Sequence, residues 1–158
     1  MKSIAQHAKG FTLQPETFRV SHVFDRTPEQ LWPEIVNHRG MVDWMPGISS
    51  VEVIQNEEGT EGLGCKRVCQ FGAETLHERI ILWEENEAYG YKIADNTLIS
   101  DHVAYVTLQA QGNERTKVTW IQYMKPKGNF LKQWLMKKVM FPKTLKKGLR
   151  NLEKRMVA

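Results

Sequence analysis

Residues 130–158 read FLKQWLMKKVMFPKTLKKGLRNLEKRMVA, and this stretch decides how the rest of the chain is interpreted. Apolar residues recur in it at spacings of three, four and seven, which places them in one stripe along a helix. The stripe consists of Leu131, Trp134, Phe141, Leu145, Leu149, Leu152 and Met156. Because proline removes a helical hydrogen bond, Pro142 predicts a kink or a brief break near residues 140–142. We therefore expect a long C-terminal helix that packs one face against a core.

The same stretch holds the positive charge of the protein, with nine basic residues against the single acid Glu153. The preceding residues are net negative, although the whole chain is +4. A cationic helix face is commonly just solvated, but it is also typical of a contact with an anionic membrane or with nucleic acid. Phe130, Trp134 and Phe141 lie on the apolar side and not among the lysines, where base stacking would need them. This arrangement argues against nucleic acid and leaves a solvated face or a peripheral contact with an anionic membrane.

The residues before this helix alternate between apolar and polar, as β-strands do. Strand patterns occur at residues 17–24, 48–55, 64–71, 74–84, 88–93, 98–109 and 116–125. Turn residues join the later strands by short connections, which predicts an antiparallel meander. Between the first two strands, Thr27, Pro28 and Gln30 supply a capped helix start, and residues 41–45 form a second short helical turn. The predicted fold class is α+β, with a sheet packed against the terminal helix.

This order of elements resembles the helix-grip fold of the START-like (SRPBCC) superfamily, in particular its polyketide cyclase/dehydrase branch. The matching patterns are TPEQLW at 27–32, WMPGI at 44–48, ERI at 78–80 and TKVTW at 116–120. The resemblance spans about residues 17–155, so we expect residues 1–158 to form a single domain. It implies a curved antiparallel sheet wrapped around a long C-terminal helix, with two short helices after the first strand. It also implies an apolar cavity between sheet and helix, which holds lipids, sterols, quinones, aromatic polyketides or hormones in different members.

Glu78 is the first candidate for chemistry in such a cavity. Strand alternation puts Glu78, Ile80 and Leu82 on one face, and His77, Arg79, Ile81 and Trp83 on the other. The resemblance favours the face of Glu78 as the inward one. Desolvation favours the protonated form of a carboxylate, which would suit a general acid or base. The alternative is a carboxylate paired with Arg67, Arg79 or the helix, with no reaction at all.

Other candidates follow from the remaining strands and from the resemblance. His102 and Tyr105 lie on opposite faces of one strand, so at most one points inward. Trp120 and Gln122 share a face, which would give an apolar wall with one orienting hydrogen bond. Trp44 lies where this fold borders the cavity mouth, either as a gate with Met45 or as core. The expected ligand-binding residues are Trp44, Glu78, Ile80, Tyr91, His102, Trp120, Gln122, Trp134 and Phe141.

These residues lead to two main hypotheses for function. The first is binding or transport of a hydrophobic small molecule that is lipid-, quinone- or polyketide-like. The alternative is an enzyme similar to a polyketide cyclase, aromatase or dehydratase, with Glu78 or His102 as acid/base. In a third hypothesis, the C-terminal helix contacts a protein partner and the cavity is vestigial.

The sequence also lacks the motifs of several other chemistries. Cys65 and Cys69 are the only cysteines, and they form neither a CxxC pair nor part of a histidine-rich cluster. We therefore predict no metal and no cofactor. No GxSxG elbow is present to supply a nucleophilic serine. Residues 1–10 lack the apolar stretch of a signal peptide, and no window is apolar enough for a membrane span, so we expect a cytoplasmic protein.

Overall fold

The strands form a single sheet. From the second strand to the last, they lie side by side in their order along the chain, and the first strand pairs with the last. The computed structural model describes residues 3–157. The strands are β1 (Phe18–Phe24), β2 (Ile48–Ile54), β3 (Lys66–Phe71), β4 (Glu74–Glu84), β5 (Ala88–Ile93), β6 (Ile99–Ala110) and β7 (Thr116–Pro126). Neighbouring strands are antiparallel, in the order β1-β7-β6-β5-β4-β3-β2. The meander expected from the sequence is confirmed.

The two short helices expected after the first strand are also present. Helix α1 (Ile4–Ala8) precedes β1, whereas α2 (Pro28–Ile35) and a 3₁₀ turn (Arg39–Asp43) follow it. The Thr27 hydroxyl accepts the Gln30 N–H at 3.2 Å, and the Gln30 side-chain oxygen accepts the Thr27 N–H at 3.0 Å. This reciprocal cap satisfies two of the donors left unpaired at a helix start, which fixes where α2 begins.

The C-terminal helix lies in the concave face of the sheet. It consists of α3 (Phe130–Leu135), a π-helical turn (Met136–Met140) and α4 (Phe141–Val157). The π turn ends two residues before Pro142, whose missing N–H cannot bond to the preceding turn. The interruption is thus slightly earlier than residues 140–142. Leu149 and Leu152 of α4 are fully buried in the main core, so the sheet grips this helix and the expected helix-grip fold is confirmed. Within residues 3–157, no helix combines the length and the apolarity needed to cross a membrane.

Only the second half of the apolar stripe expected on this helix is buried. Leu131 and Trp134 remain 63% and 47% exposed, whereas Leu149 and Leu152 are buried. A π turn places its residues at a different angular spacing from an α-helix, so a stripe drawn with α-helical spacing is not continuous across Met136–Met140. The expectation that Leu131 and Trp134 pack against the core is therefore wrong.

A second, smaller core covers the opposite face of the sheet. Its buried members are Ala8, Ile81, Val103, Tyr105, Ile121 and Tyr123. Helix α1 lies over it, and Nδ1 of His7 is 2.6 Å from the Tyr105 hydroxyl. We did not predict α1, although Ser3 and Gln6 form a capping box at its start that would have indicated it.

A β-bulge in β4 corrects the expected alternation of its side chains. The pairing of β4 with β5 shifts between Ile80 and Leu82. Glu78 and Ile80 therefore face the main core, whereas Leu82 packs on the second core and Trp83 returns to the main one. A bulge adds one residue to one strand, which reverses the alternation beyond it. The assignments of Leu82 to the inner face and of Trp83 to the outer face are wrong for this reason.

Candidate binding site between the sheet and helix α4

A cavity of about 100 Å³ lies between the concave face of the sheet and α4. Apolar side chains from β1, the α2–β2 connection, β3, β4, β6, β7 and α4 form most of its wall. The polar lining residues are Glu78, Tyr91, Asn96, His102, Gln122 and Thr144. The lining residues of α4, which are Phe141, Thr144 and Leu145, are only half-buried, whereas Glu78, Tyr91, His102, Trp120 and Gln122 on the sheet are buried. The site is thus an apolar chamber with a polar group of residues on the sheet.

Six of the residues expected to bind a ligand meet at this cavity. They are Glu78, Tyr91, His102, Trp120, Gln122 and Phe141. Trp44 does not line it, because this indole is buried against Trp120 at 6.4 Å between ring centroids, and Met45 faces the cavity instead. Ile80 is buried in the core outside the lining. Trp134 precedes the π turn and is exposed.

Three methionines line the cavity, and of these the sequence pointed to Met45, as part of a gate with Trp44, but not to Met41. Met41 and Met45 come from the 3₁₀ turn and the residues after it, and Met124 comes from β7. The spacing of Met41 and Met45 in the segment MVDWM was the available signal, since residues four apart share a helix face. Unbranched thioether side chains fill irregular spaces and adapt to different occupants.

Glu78 forms a buried ion pair with Arg67. The two residues are directly opposite on β3 and β4, and the Arg67 Nε donates to Glu78 Oε1 at 2.6 Å. Their side chains are 1% and 3% exposed. The Arg67 guanidinium also lies 4.7 Å from the ring centroid of Tyr91, a cation–π contact. Burial is the largest single effect and lowers the pKa of Arg67, but Glu78 together with Tyr89, Cys69 and Tyr91 outweighs it, so the net shift is upward. The expected alternative, a carboxylate paired with Arg67, describes this geometry.

His38 completes the environment of Arg67 on the side away from Glu78. The Arg67 Nη1 donates to His38 Nδ1 at 3.0 Å, and His38 Nε2 lies 2.9 Å from the Glu61 carbonyl oxygen. Because Nδ1 accepts, Nε2 carries the proton and donates to that carbonyl. Burial, reinforced by the Arg67 charge, lowers the pKa of His38 to about 4. His38 is therefore a neutral acceptor, and the sequence did not reveal its role.

His102 is held by hydrogen bonds at both ring nitrogens. The Ile93 N–H donates to Nδ1 at 3.0 Å, so Nε2 carries the proton and donates to Gln122 Oε1 at 2.8 Å. Burial lowers the pKa of His102 to about 3. The imidazole is therefore neutral near pH 7 and has no free lone pair with which to take a proton from a ligand.

Tyr91 closes this network and faces the cavity. Its oxygen accepts hydrogen bonds from Trp120 Nε1 at 3.0 Å and from Gln122 Nε2 at 3.3 Å. Burial raises the pKa of Tyr91, so the phenol keeps its proton. With both lone pairs engaged, the hydroxyl proton is the part of Tyr91 still able to form a hydrogen bond. The polar wall thus offers a donor at Tyr91 and a carboxylate acceptor at Glu78.

Within residues 3–157, no three His, Cys, Asp or Glu side chains are placed so that together they could hold a metal ion. Cys65 and Cys69 are both buried free thiols. The polar network described above consists of side chains that bond to one another and to the backbone.

Comparison with known proteins bears on both the family and the fold. The sequence model of the family described as "polyketide cyclase / dehydrase and lipid transport" matches residues 15–157. No curated protein matches the chain in sequence. Among solved structures, a START superfamily protein from Mycobacterium smegmatis has a TM-score of 0.70 at 12% identity, covering 87% of this chain and 94% of its own.

Two further structures are similar over most of the chain. A norcoclaurine synthase point mutant from Thalictrum flavum, in complex with a transition-state analogue, has a TM-score of 0.69 at 12% identity and covers 92% of this chain and 96% of its own. The protein XoxI from Bacillus cereus has a TM-score of 0.67 at 20% identity and covers 89% and 94%. At these identities the likeness establishes the fold alone.

Proposed function

The chain belongs to the polyketide cyclase/dehydrase and lipid transport family, and we propose that it binds and carries a small, largely apolar molecule in the cavity between its sheet and α4. The observation that carries this proposal is the chamber itself: an apolar wall with a few convergent polar groups is the usual form of a small-molecule site. The family description includes lipid transport, which agrees with this use of the cavity.

The polar wall indicates what the molecule carries at one end. The Tyr91 hydroxyl can donate one hydrogen bond, and the Glu78 carboxylate has acceptor positions beyond the one that Arg67 uses. A hydroxyl group both accepts and donates, so it can satisfy both residues at once. A carbonyl could use only the Tyr91 donor. We therefore propose that the ligand is an apolar ring or chain that ends in an alcohol or a phenol.

The size of the cavity suggests a modest ligand or a wall that yields to a larger one. A volume of about 100 Å³ holds several atoms beyond a single water. Met41, Met45 and Met124 can change rotamer without breaking a hydrogen bond between strands. The wall can therefore widen around a bulkier molecule while the sheet stays paired.

Binding without turnover is favoured over catalysis because the two candidate proton carriers are both engaged. Glu78 is ion-paired with Arg67, and both nitrogens of His102 have partners. A general base needs a free lone pair within reach of the proton it removes. The wall presents no such group at His102. Glu78 has free lone pairs, but a proton taken up there would neutralise the carboxylate and leave the buried Arg67 charge without its counter-ion.

Extraction of the protein purified from its native host, followed by mass spectrometry, tests this proposal. We expect a stoichiometric apolar alcohol or phenol in the wild-type extract. Leu145→Trp places an indole at the cavity wall, so its extract should lack that molecule. Leu131→Trp adds the same indole at an exposed position of the same helix and serves as the control. An empty wild-type protein that also fails to bind added β-naphthol would refute the proposal.

A further inference from the structure

Large apolar side chains are concentrated on the surface of residues 130–140. The exposed ones in this stretch are Phe130, Leu131, Trp134, Leu135, Val139 and Met140. Phe130 is 86% exposed, although aromatic side chains are strongly favoured in cores. The other exposed large apolar residues within 3–157 are scattered over separate elements. A contiguous exposed apolar surface commonly marks an interaction site.

These side chains occupy the side of the helix that faces away from the protein. Helical spacing places Phe130, Leu131, Trp134 and Leu135 on one arc. Met136, which is 2% exposed, lies on the opposite side and packs into the core. The apolar arc is therefore a second face, separate from the one that holds the helix in the fold.

The charged residues of this segment are all basic. Lys132, Lys137, Lys138 and Lys143 lie within or beside it, and no acidic residue occurs from 129 to 152. Within residues 3–157, none of these four lysines forms an ion pair. A helix segment with Phe, Leu and Trp on one face and lysines along its edges has the composition of a helix that lies in a membrane interface. Tryptophan and lysine both suit the depth of the lipid headgroups.

We propose that residues 130–143 form a docking surface for an anionic lipid bilayer, with Phe130, Leu131 and Trp134 inserted between the headgroups and the lysines at the phosphates. The charge decides this occupant, because unpaired lysines around an apolar arc complement the negative potential of such a bilayer. This surface lies outside the cavity, so its proposed role in docking does not depend on which ligand the cavity binds.

The docking surface is next to the cavity in the chain. Its part in ligand transfer rests on the proposed function. Phe141 directly follows the π turn and lines the cavity together with Thr144 and Leu145. Docking through residues 130–143 would thus bring the half-buried α4 end of the cavity wall, at Phe141, close to the lipid. An apolar ligand could then pass between bilayer and cavity without crossing bulk water.

Vesicle sedimentation with the full chain tests the docking surface. We expect sedimentation with vesicles that contain phosphatidylserine, little with vesicles of phosphatidylcholine alone, and a decrease as salt is raised. The variant Leu131→Gln/Trp134→Gln removes apolar contacts, and Lys132→Gln/Lys138→Gln removes charge. Each should weaken association with the anionic vesicles by tenfold or more, without changing β-naphthol binding.

Matched controls place the same changes at exposed positions elsewhere. Leu13→Gln/Leu63→Gln and Lys9→Gln/Lys66→Gln should sediment as the wild type does. Failure of the wild type to sediment, or equal sedimentation of Leu131→Gln/Trp134→Gln, would overturn the proposal and leave a protein partner as the occupant of the surface. If the wild type does not bind β-naphthol, this result would contradict the proposed function of the cavity but not the docking surface.

Discussion

The Arg67 guanidinium and the Glu78 carboxylate meet at 2.6 Å across β3 and β4, with almost no exposure of either side chain. Taking two charges out of water is costly, and their attraction offsets this cost only while both are present. The pair also sets the chemistry of the cavity, because it keeps an acceptor on a wall that is otherwise mostly apolar. Stability and ligand recognition therefore depend on the same two residues.

Removing one partner of this pair should destabilise the protein strongly. Glu78→Gln leaves the Arg67 charge buried and unpaired, so we expect the free energy of unfolding to fall by about 3–5 kcal/mol. Urea unfolding followed by circular dichroism measures the change. Replacing both residues, as in Arg67→Met/Glu78→Leu, should recover much of the loss because no charge remains buried. Glu52→Gln at an exposed position of β2 is the control. An unchanged midpoint for Glu78→Gln would contradict the importance of the pair.

Tyr91→Phe should reduce the preference of the cavity for a hydroxyl. The variant keeps the ring but deletes the O–H donor, and one hydrogen bond contributes about 1 kcal/mol. We expect wild-type protein to bind β-naphthol more tightly than naphthalene, and Tyr91→Phe to lower that preference by about fivefold, because the Glu78 acceptor remains. Fluorescence titration gives the two affinities. Tyr105→Phe alters a hydroxyl in the second core and should retain the preference. Equal wild-type affinities for the two probes would show that the cavity does not recognise a hydroxyl.

Acid should destabilise the protein through His38 and His102. Their native pKa values are lowered to about 4 and about 3, whereas an unfolded histidine titrates near 6.5. Below about pH 6.5 the unfolded chain thus binds protons that the native chain does not, and stability falls as pH falls toward these native values. Between pH 7 and pH 5 the loss should be on the order of 2 kcal/mol for each histidine.

Unfolding of His102→Gln at the two pH values isolates one of these contributions. Its loss of stability between pH 7 and pH 5 should be smaller than that of the wild type by about 2 kcal/mol, whatever its stability at pH 7. His77→Gln makes the same change at an exposed position of β4 and serves as the control. A pH dependence that His102→Gln does not alter would show that His102 is protonated in the native state.

The fold could be predicted because its signals are local. Strand alternation, the capping box at Thr27 and Gln30, and the apolar spacing of Leu145, Leu149 and Leu152 each depend on neighbouring residues. The faces of the strands could not be settled in this way. The bulge beside Ile80 depends on the opposite strand, where a Cβ on Gly90 would lie 2.7 Å from the Tyr105 ring. Such a contact joins residues far apart in the chain.

The candidate site shows the same division between local and long-range causes. The sequence named Arg67 among several partners for Glu78, but only the strand register places them opposite each other. Ile99 and His102 both face the cavity although they are three positions apart, because the pairing shifts between Ser100 and Val103, where Asp101 has a φ of 52°. The basic residues also differ in ways that charge alone does not reveal. Lys146 is half-buried and donates to the Ser21 carbonyl, so it is a poor choice for a test of surface charge.

Gly148→Ala should narrow the cavity while leaving the fold stable. A Cβ there would lie 2.9 Å from Met45 Cε, the flexible end of a side chain that lines the cavity. We expect Met45 to move, and alanine's helical preference, about 1 kcal/mol over glycine, to offset that rearrangement. Stability should thus change by less than about 1 kcal/mol, while affinity for β-naphthol falls severalfold. Gly90→Ala, whose Cβ would meet the Tyr105 ring, should instead cost about 1–3 kcal/mol. Unchanged affinity in a folded Gly148→Ala variant would show that Met45 does not control the cavity.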